Sequence, residues 1–216
     1  LISKNAGIIK DVASKVKAHA PSSIIIVVTN PLDVMAYLTY KVTGFPKNRV
    51  IGMAGVLDGS RFIYLIASEL GVPRSSVETY VLGSHGDTMV PLISKTKVGG
   101  KPVTEVMGSG KIDAIVKRTR DRGAEIVSLF GSGSAYYSPS AAVFKMIESI
   151  LKDKKEVLVA SAYLEGEYSL GDLFIGVPCK IGKGGIEKIV ELDISKEEKA
   201  ALSKSAQAIK ILNKLL

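Results

Sequence analysis

The 216-residue sequence predicts an α/β segment over residues 1–54 followed by an α+β segment over residues 55–216, with the change near Gly55. Two observations carry that expectation. Close to the start, a helical pattern, an apolar β-branched run, a polar turn and a second helical pattern follow one another. That is the order of an open sheet covered by helices. In the last third, three short strand-like runs are separated by turn-rich segments, the order of an antiparallel meander.

The elements follow in chain order. Ile8, Ile9, Val12, Ala13 and Val16 fall at helical spacing and form the expected core face of a first helix, which Ala20-Pro21-Ser22 stops. Residues 23–29 then read as a strand that is apolar on both faces, the pattern of a buried central parallel strand. Asn30-Pro31 ends it, and residues 32–42 resume helical spacing. Ligands in open α/β sheets sit beyond the carboxyl ends of the strands, which is where Asn30 falls. Residues 50–53 read as a short strand. Residues 58–70 form a helix with Phe62, Ile63, Leu65, Ile66 and Leu70 on one stripe, closed by Val72-Pro73.

A strand is expected over residues 77–82, with further strand pieces at 90–93 and 98–103. Helices are expected over 112–129 and from Pro139 to about residue 152, the second with Ala142, Val143, Met146, Ile147 and Ile150 inward. The Gly131-Ser132-Gly133-Ser134 break separates them. Residues 157–162, 173–180 and 185–192 form the meander. Ser195-Lys196-Glu197-Glu198 is a capping box for a last helix carrying Leu202, Ala206, Ile209 and Leu212.

Composition narrows the function classes. The net charge of +8 invites a nucleic-acid reading, but the lysines are spread along the whole chain and aromatics make up only 6%. There is no zinc-finger spacing and no aromatic-rich RNA-binding strand, so no nucleic-acid partner is expected. A positive surface favours approach of a small anion. No run approaches the roughly 18 apolar residues of a membrane span, and no membrane partner is expected. One cysteine, Cys179, excludes an internal disulfide and suits a reducing compartment, the cytoplasm; its place in an apolar run makes it a core residue. The chain opens on Leu1-Ile2-Ser3 with no initiator methionine and runs directly into a helix. It reads as starting in mid-domain.

Proton chemistry has one strong candidate. Gly83-Ser84-His85-Gly86-Asp87 puts an imidazole on a glycine-bracketed turn at the end of a strand. Histidine alone has an unperturbed pKa near neutrality. The other histidine, His19, sits at a lysine-flanked helix end. Asp58 and Arg61, three residues apart, share a helix face. Each has a plainer alternative: His85 as a satisfied structural histidine, Asp58 and Arg61 as a local ion pair, Asn30 as an Asx turn before proline. A metal held by His85 and Asp87 lacks any third ligand cluster, and no metal is expected.

Val28-Thr29-Asn30-Pro31, Leu57-Asp58-Gly59-Ser60-Arg61-Phe62, Gly83-Ser84-His85-Gly86-Asp87 and the turn over residues 131–139 stand together in order and separation. In this the chain resembles the lactate/malate dehydrogenase family, over essentially all 216 residues. The nearer likeness is to the branch of malate dehydrogenases that look like lactate dehydrogenases. Gly52-Met53-Ala54-Gly55-Val56-Leu57-Asp58 and Gly86-Asp87-Thr88-Met89-Val90-Pro91 carry it.

The resemblance implies the remnant of a Rossmann-type parallel sheet followed by a mixed α+β substrate domain. It implies NAD as cofactor, a small dicarboxylate as substrate, and a homodimer or homotetramer. His85 would take the hydroxyl proton as hydride leaves carbon, and Asp58 would orient and support the imidazole. Arg61 would grip the substrate carboxylate at two points, which lysine cannot copy. Asn30 would meet the substrate oxygen or nicotinamide ribose across a cis Asn30-Pro31 bond. Val28 would line the nicotinamide site, with Ser134 or Pro139 nearby. Ser138-Pro139 departs from the alanine-proline of that pattern. L-lactate dehydrogenase is the near alternative, and a non-catalytic oligomerising fragment is the alternative of another class.

A dinucleotide site needs a glycine-rich strand-to-helix turn. Gly108-Ser109-Gly110, Gly131-Ser132-Gly133 and Gly182-Lys183-Gly184 lack both the third glycine at the right offset and that context. The family places the fingerprint upstream, so roughly 80–100 residues of βαβ structure and the substrate-closing loop are expected to be absent. This polypeptide alone is then expected to be inactive.

Overall fold

The computed structural model describes residues 2–131 and 133–216; Leu1, and Ser132 of the expected glycine-serine break, lie outside the described residues. In chain order the elements are α1 (Ile2–His19), β1 (Ile25–Val27), α2 (Leu32–Thr43), β2 (Val50–Gly52) and α3 (Gly55–Leu70). Then come β3 (Val77–Glu78), β4 (Val81–Gly83), β5 (Met89–Pro91), β6 (Lys97–Val98), β7 (Lys101–Pro102) and α4 (Val103–Val106). Finally α5 (Ser109–Phe130), α6 (Tyr137–Leu151), β8 (Glu156–Glu165), β9 (Gly171–Gly182), β10 (Gly185–Ile189) and α7 (Lys196–Asn213) complete the chain.

One sheet runs β1-β2-β8-β9-β4-β5, with β10 also paired to β9. β1 and β2 are parallel, and the other pairings in this sheet are antiparallel. A short parallel pair therefore leads into a mixed α+β body, as expected. The meander is the longest pairing: β8 meets β9 from Glu156 against Ile181 to Glu165 against Gly171. Leu164, Leu173, Ile175, Val177, Cys179 and Ile181 there are fully buried. The Ser195 capping box forms in both directions, and Leu202, Ala206 and Ile209 seat α7 on the sheet.

Several local expectations are corrected. Among the described residues β1 pairs with β2 alone, is only three residues long, and leaves Val28 exposed. The run 77–82 is not one strand. β3 joins β6 and β7 in a separate three-stranded sheet, while β4 joins the main one. Thr79, between them, is tied through its hydroxyl to that of Thr96 at 2.7 Å. Ile8 and Val12 are exposed in α1, whereas Ala13 is buried and Ile9 and Val16 pack partly buried against the core as expected; the inward residue not foreseen is Ala6. In α6 Ile147 is exposed and Ser149 is buried instead, its hydroxyl donating to the Ile181 carbonyl at 2.7 Å.

Two glycines set the frame of the site. A Cβ on Gly55, the first residue of α3, would fall onto the Val159 side chain and the Val81 carbonyl. Only glycine lets the helix start this close to β8 and β4. Gly83, at the end of β4, has φ +87°, the left-handed region that side chains disfavour. It turns the chain out of the strand into the His85 loop.

Candidate active site

Asp58 sits in the first turn of α3, where a carboxylate is favoured by the helix's positive end. It is 2% exposed. The loop between β4 and β5 carries His85 toward it. His85 Nδ1 lies 2.8 Å from Asp58 Oδ2. A carboxylate only accepts, so the neutral ring carries its proton on Nδ1 and leaves Nε2 free. Arg61, one turn further along α3, holds Nη1 at 3.5 Å from the other oxygen, Asp58 Oδ1. That contact is too long to be the main partner of either group. The local ion pair is the weaker of Asp58's two attachments, and the arginine is left with capacity for an anion. Its Nε is buried with no hydrogen-bond partner among the described residues.

Burial pushes the His85 imidazole toward its neutral form. The hydrogen bond and charge of Asp58, joined by the charge of Asp33, outweigh burial and the opposing Arg61, so the net pKa lies above the ordinary value. The ring is therefore poised to hold a proton near neutrality.

A cavity of about 720 Å³ opens on these groups. Val28, Asn30, Arg61, His85, Ser134 and Pro139 all line it, so every pocket residue nominated from sequence faces one hollow. Asp58 does not line it and stands behind the imidazole. Asn30 precedes the cis Asn30-Pro31 bond, and its carbonyl accepts from Asn5 Nδ2 at 2.6 Å. Asp87 is exposed beside the loop. Among the described residues no group of three or more His, Cys, Asp or Glu could hold a metal, and no helix is long and apolar enough to cross a membrane. The apolar wall of Val28 with the polar Asn30 at the carboxyl end of β1 fits the nicotinamide end of a dinucleotide. Among the described residues no G-x-G-x-x-G turn joins a strand to a helix to hold its phosphates.

Sequence reasoning missed Asp33, in the first turn of α2, together with Ser84, Ser161 and Ser205. Asp33 Oδ2 accepts from Ser84 Oγ and from the His85 backbone N–H, each at 3.0 Å, and Oδ1 accepts from Ser161 Oγ at 2.7 Å. The available signal was an acid inside Leu32-Asp33-Val34-Met35, a run otherwise apolar and buried.

Residues 55–214 match the family model described as lactate/malate dehydrogenase, alpha/beta C-terminal domain, and residues 1–52 match the lactate/malate dehydrogenase, NAD binding domain. The malate dehydrogenase of Halalkalibacterium halodurans is 52% identical over 210 residues, covering 97% of this chain and 67% of that protein. The malate dehydrogenase structure from Salinibacter ruber aligns with a TM-score of 0.96 at 50% identity, over 99% of this chain and 70% of that one. The lactate dehydrogenase structure from Cryptosporidium parvum aligns with a TM-score of 0.94 at 43% identity, over 99% of this chain and 72% of that one. By sequence and by fold, this chain belongs to the lactate/malate dehydrogenase family.

Proposed function

We propose that these residues form the proton-transfer and carboxylate-binding part of an NAD-dependent malate dehydrogenase, divided into a dinucleotide-binding segment (1–54) and a substrate domain (55–216). The observation that carries the reading is the 2.8 Å contact of Asp58 with His85, with Arg61 opening into the same cavity. Nε2 of His85 accepts the hydroxyl proton of malate, and in the reverse direction returns it to the carbonyl oxygen of oxaloacetate. Asp58 holds the ring in the required tautomer and supports the imidazolium. Arg61 pairs with the C1 carboxylate, and Asn30 orients the substrate oxygen from the opposite side. Val28 and Asn30, which line the cavity, would hold the nicotinamide. Bound NAD supplies the acceptor for the hydride.

The likeness to malate dehydrogenases at about half identity supports malate over lactate. The lactate dehydrogenase from Cryptosporidium parvum keeps L-lactate as the second reading. The lone buried Cys179 supports a reducing compartment such as the cytoplasm. Exposed apolar residues on α6, Phe144 and Leu151 among them, support assembly as a homodimer or homotetramer. Each relative has about a third of its length without counterpart in these 216 residues, and these residues by themselves are proposed not to turn over.

The test is reduction of oxaloacetate and of pyruvate by NADH, assayed on the native gene product and its His85→Asn variant. Oxaloacetate is the preferred substrate, and the variant loses the activity. Preference for pyruvate would make it a lactate dehydrogenase, and full activity without His85 would end the reading.

A further inference from the structure

The reaction described above makes no use of the carboxylate of Asp33, which is 2% exposed. Every hydrogen bond made to it comes from a donor. Ser161 Oγ reaches Oδ1 from β8, and Ser84 Oγ and the His85 N–H reach Oδ2 from the catalytic loop. The next amide along is held as well: Ser84 N–H donates to Ser205 Oγ of α7 at 2.8 Å, and that oxygen lies 3.1 Å from Thr88 Oγ1. Elements distant in sequence thus clamp two consecutive peptides of the loop.

A neutral acceptor could take the same N–H at less desolvation cost, because burying an ion is far more expensive than burying an amide. What the carboxylate adds is charge and a second accepting oxygen, since Oδ1 and Oδ2 both take donors here. We propose that Asp33 is a positioning residue for His85, an anionic anchor that fixes the backbone of the loop against α2 and lends the imidazole a second negative neighbour besides Asp58.

The charged groups facing His85 are Asp58 and Arg61 from α3 and Asp33 from α2, with the exposed Asp87 on its own turn. Two carboxylates therefore act on His85, one hydrogen-bonded to Nδ1 and one to the backbone N–H, against one guanidinium. Burial is the largest influence and leaves the Asp33 carboxyl above the ordinary carboxylate value; its hydrogen bonds to Ser161, His85 and Ser84 and the charge of His85 offset part of that rise and favour the ionised form. Loss of any of those donors weakens the anion that the loop depends on.

The catalytic meaning of this anchor rests on His85 being the proton-transfer group, but its electrostatic meaning does not. The experiment therefore reads the imidazole directly. In the 216-residue chain with His19→Gln, His85 is the only histidine, and its ring resonances are titrated by NMR.

Asp33→Asn keeps the side chain's shape and removes the charge, keeping one accepting oxygen for the His85 N–H while its NH2 turns to the Ser161 hydroxyl, which can accept. The proton affinity of His85 is expected to fall about tenfold, the equivalent of one pKa unit, with near-ultraviolet circular dichroism unchanged. A folded Asp33→Asn chain with unaltered His85 affinity overturns the proposal. If Asp33→Asn does not fold, Ser161→Ala serves: it leaves the carboxylate but takes away a donor, and a fall of about threefold in the same direction is expected. No fall in Ser161→Ala overturns the proposal equally. Activity of the native gene product separates the two readings. A fully active His85→Asn variant would remove the dehydrogenase role while leaving the measured coupling of Asp33 to His85 intact.

Discussion

His85 Nδ1 and Asp58 Oδ2 stand 2.8 Å apart although 27 residues separate them in sequence. The contact exists because α3 begins on a glycine that rests against the Val81 carbonyl of β4, the strand that delivers the His85 loop. A helix start and a strand end are thereby locked together, and each brings one partner of the pair.

Replacing Asp58 by Asn tests what that pair contributes. Asparagine keeps the space but can donate to Nδ1, which favours the wrong tautomer. Turnover of oxaloacetate by the native gene product is expected to fall by roughly 10³–10⁴-fold, the scale seen when the carboxylate of an Asp-His pair is made neutral. The expected KM changes far less than kcat, because Asp58 does not line the cavity.

The raised pKa of His85 has a consequence for stability. A histidine that binds its proton more tightly when folded stabilises the fold fully below its unfolded pKa of about 6.5, and that contribution is lost as pH rises through the folded value. Urea unfolding of the chain and of His85→Asn, compared between about pH 6 and 9, is expected to show the wild-type advantage shrinking toward high pH. An advantage that grows with pH would reverse the sign.

Arg61→Lys keeps the positive charge and loses the planar fork. A charge-assisted hydrogen bond contributes about 1.5–3 kcal/mol, so kcat/KM for oxaloacetate is expected to fall by about 10- to 100-fold, chiefly through KM. Steady-state kinetics measure it.

Gly55→Ala and Gly59→Ala lie one turn apart on α3 and are expected to differ in sign. The added methyl at Gly55 meets Val159 and the Val81 carbonyl, and should cost about 1–3 kcal/mol in unfolding free energy while displacing Asp58. At Gly59 the Cβ meets nothing within 4 Å, so alanine should stabilise the helix by about 0.5–1 kcal/mol.

What the sequence made legible follows the range of each interaction. The Ser195 capping box and the shared face of Asp58 and Arg61 depend on residues a few positions apart, the meander on strands that follow one another in the chain, and all three appear as read. His85 was legible because glycine on either side marks a loop that needs unusual backbone, here at Gly83. Asp33 was not. An acid in a helix's first turn looks like a simple response to the helix dipole, and its partners lie 51, 52 and 128 residues away. The split of residues 77–82 between two sheets was hidden for the same reason. A strand's own composition does not name its neighbours, and β3 finds Lys97 and Val98 while β4 finds Met89, Val90 and Pro91.

The most direct test of the shared cleft is a co-crystal structure with oxaloacetate. The expected result has the C1 carboxylate on the Arg61 guanidinium at about 2.7–2.9 Å and the keto oxygen within hydrogen-bond reach of His85 Nε2. Oxaloacetate bound outside this cavity, or inside it with Arg61 unengaged and the keto oxygen turned away from the imidazole, would contradict it.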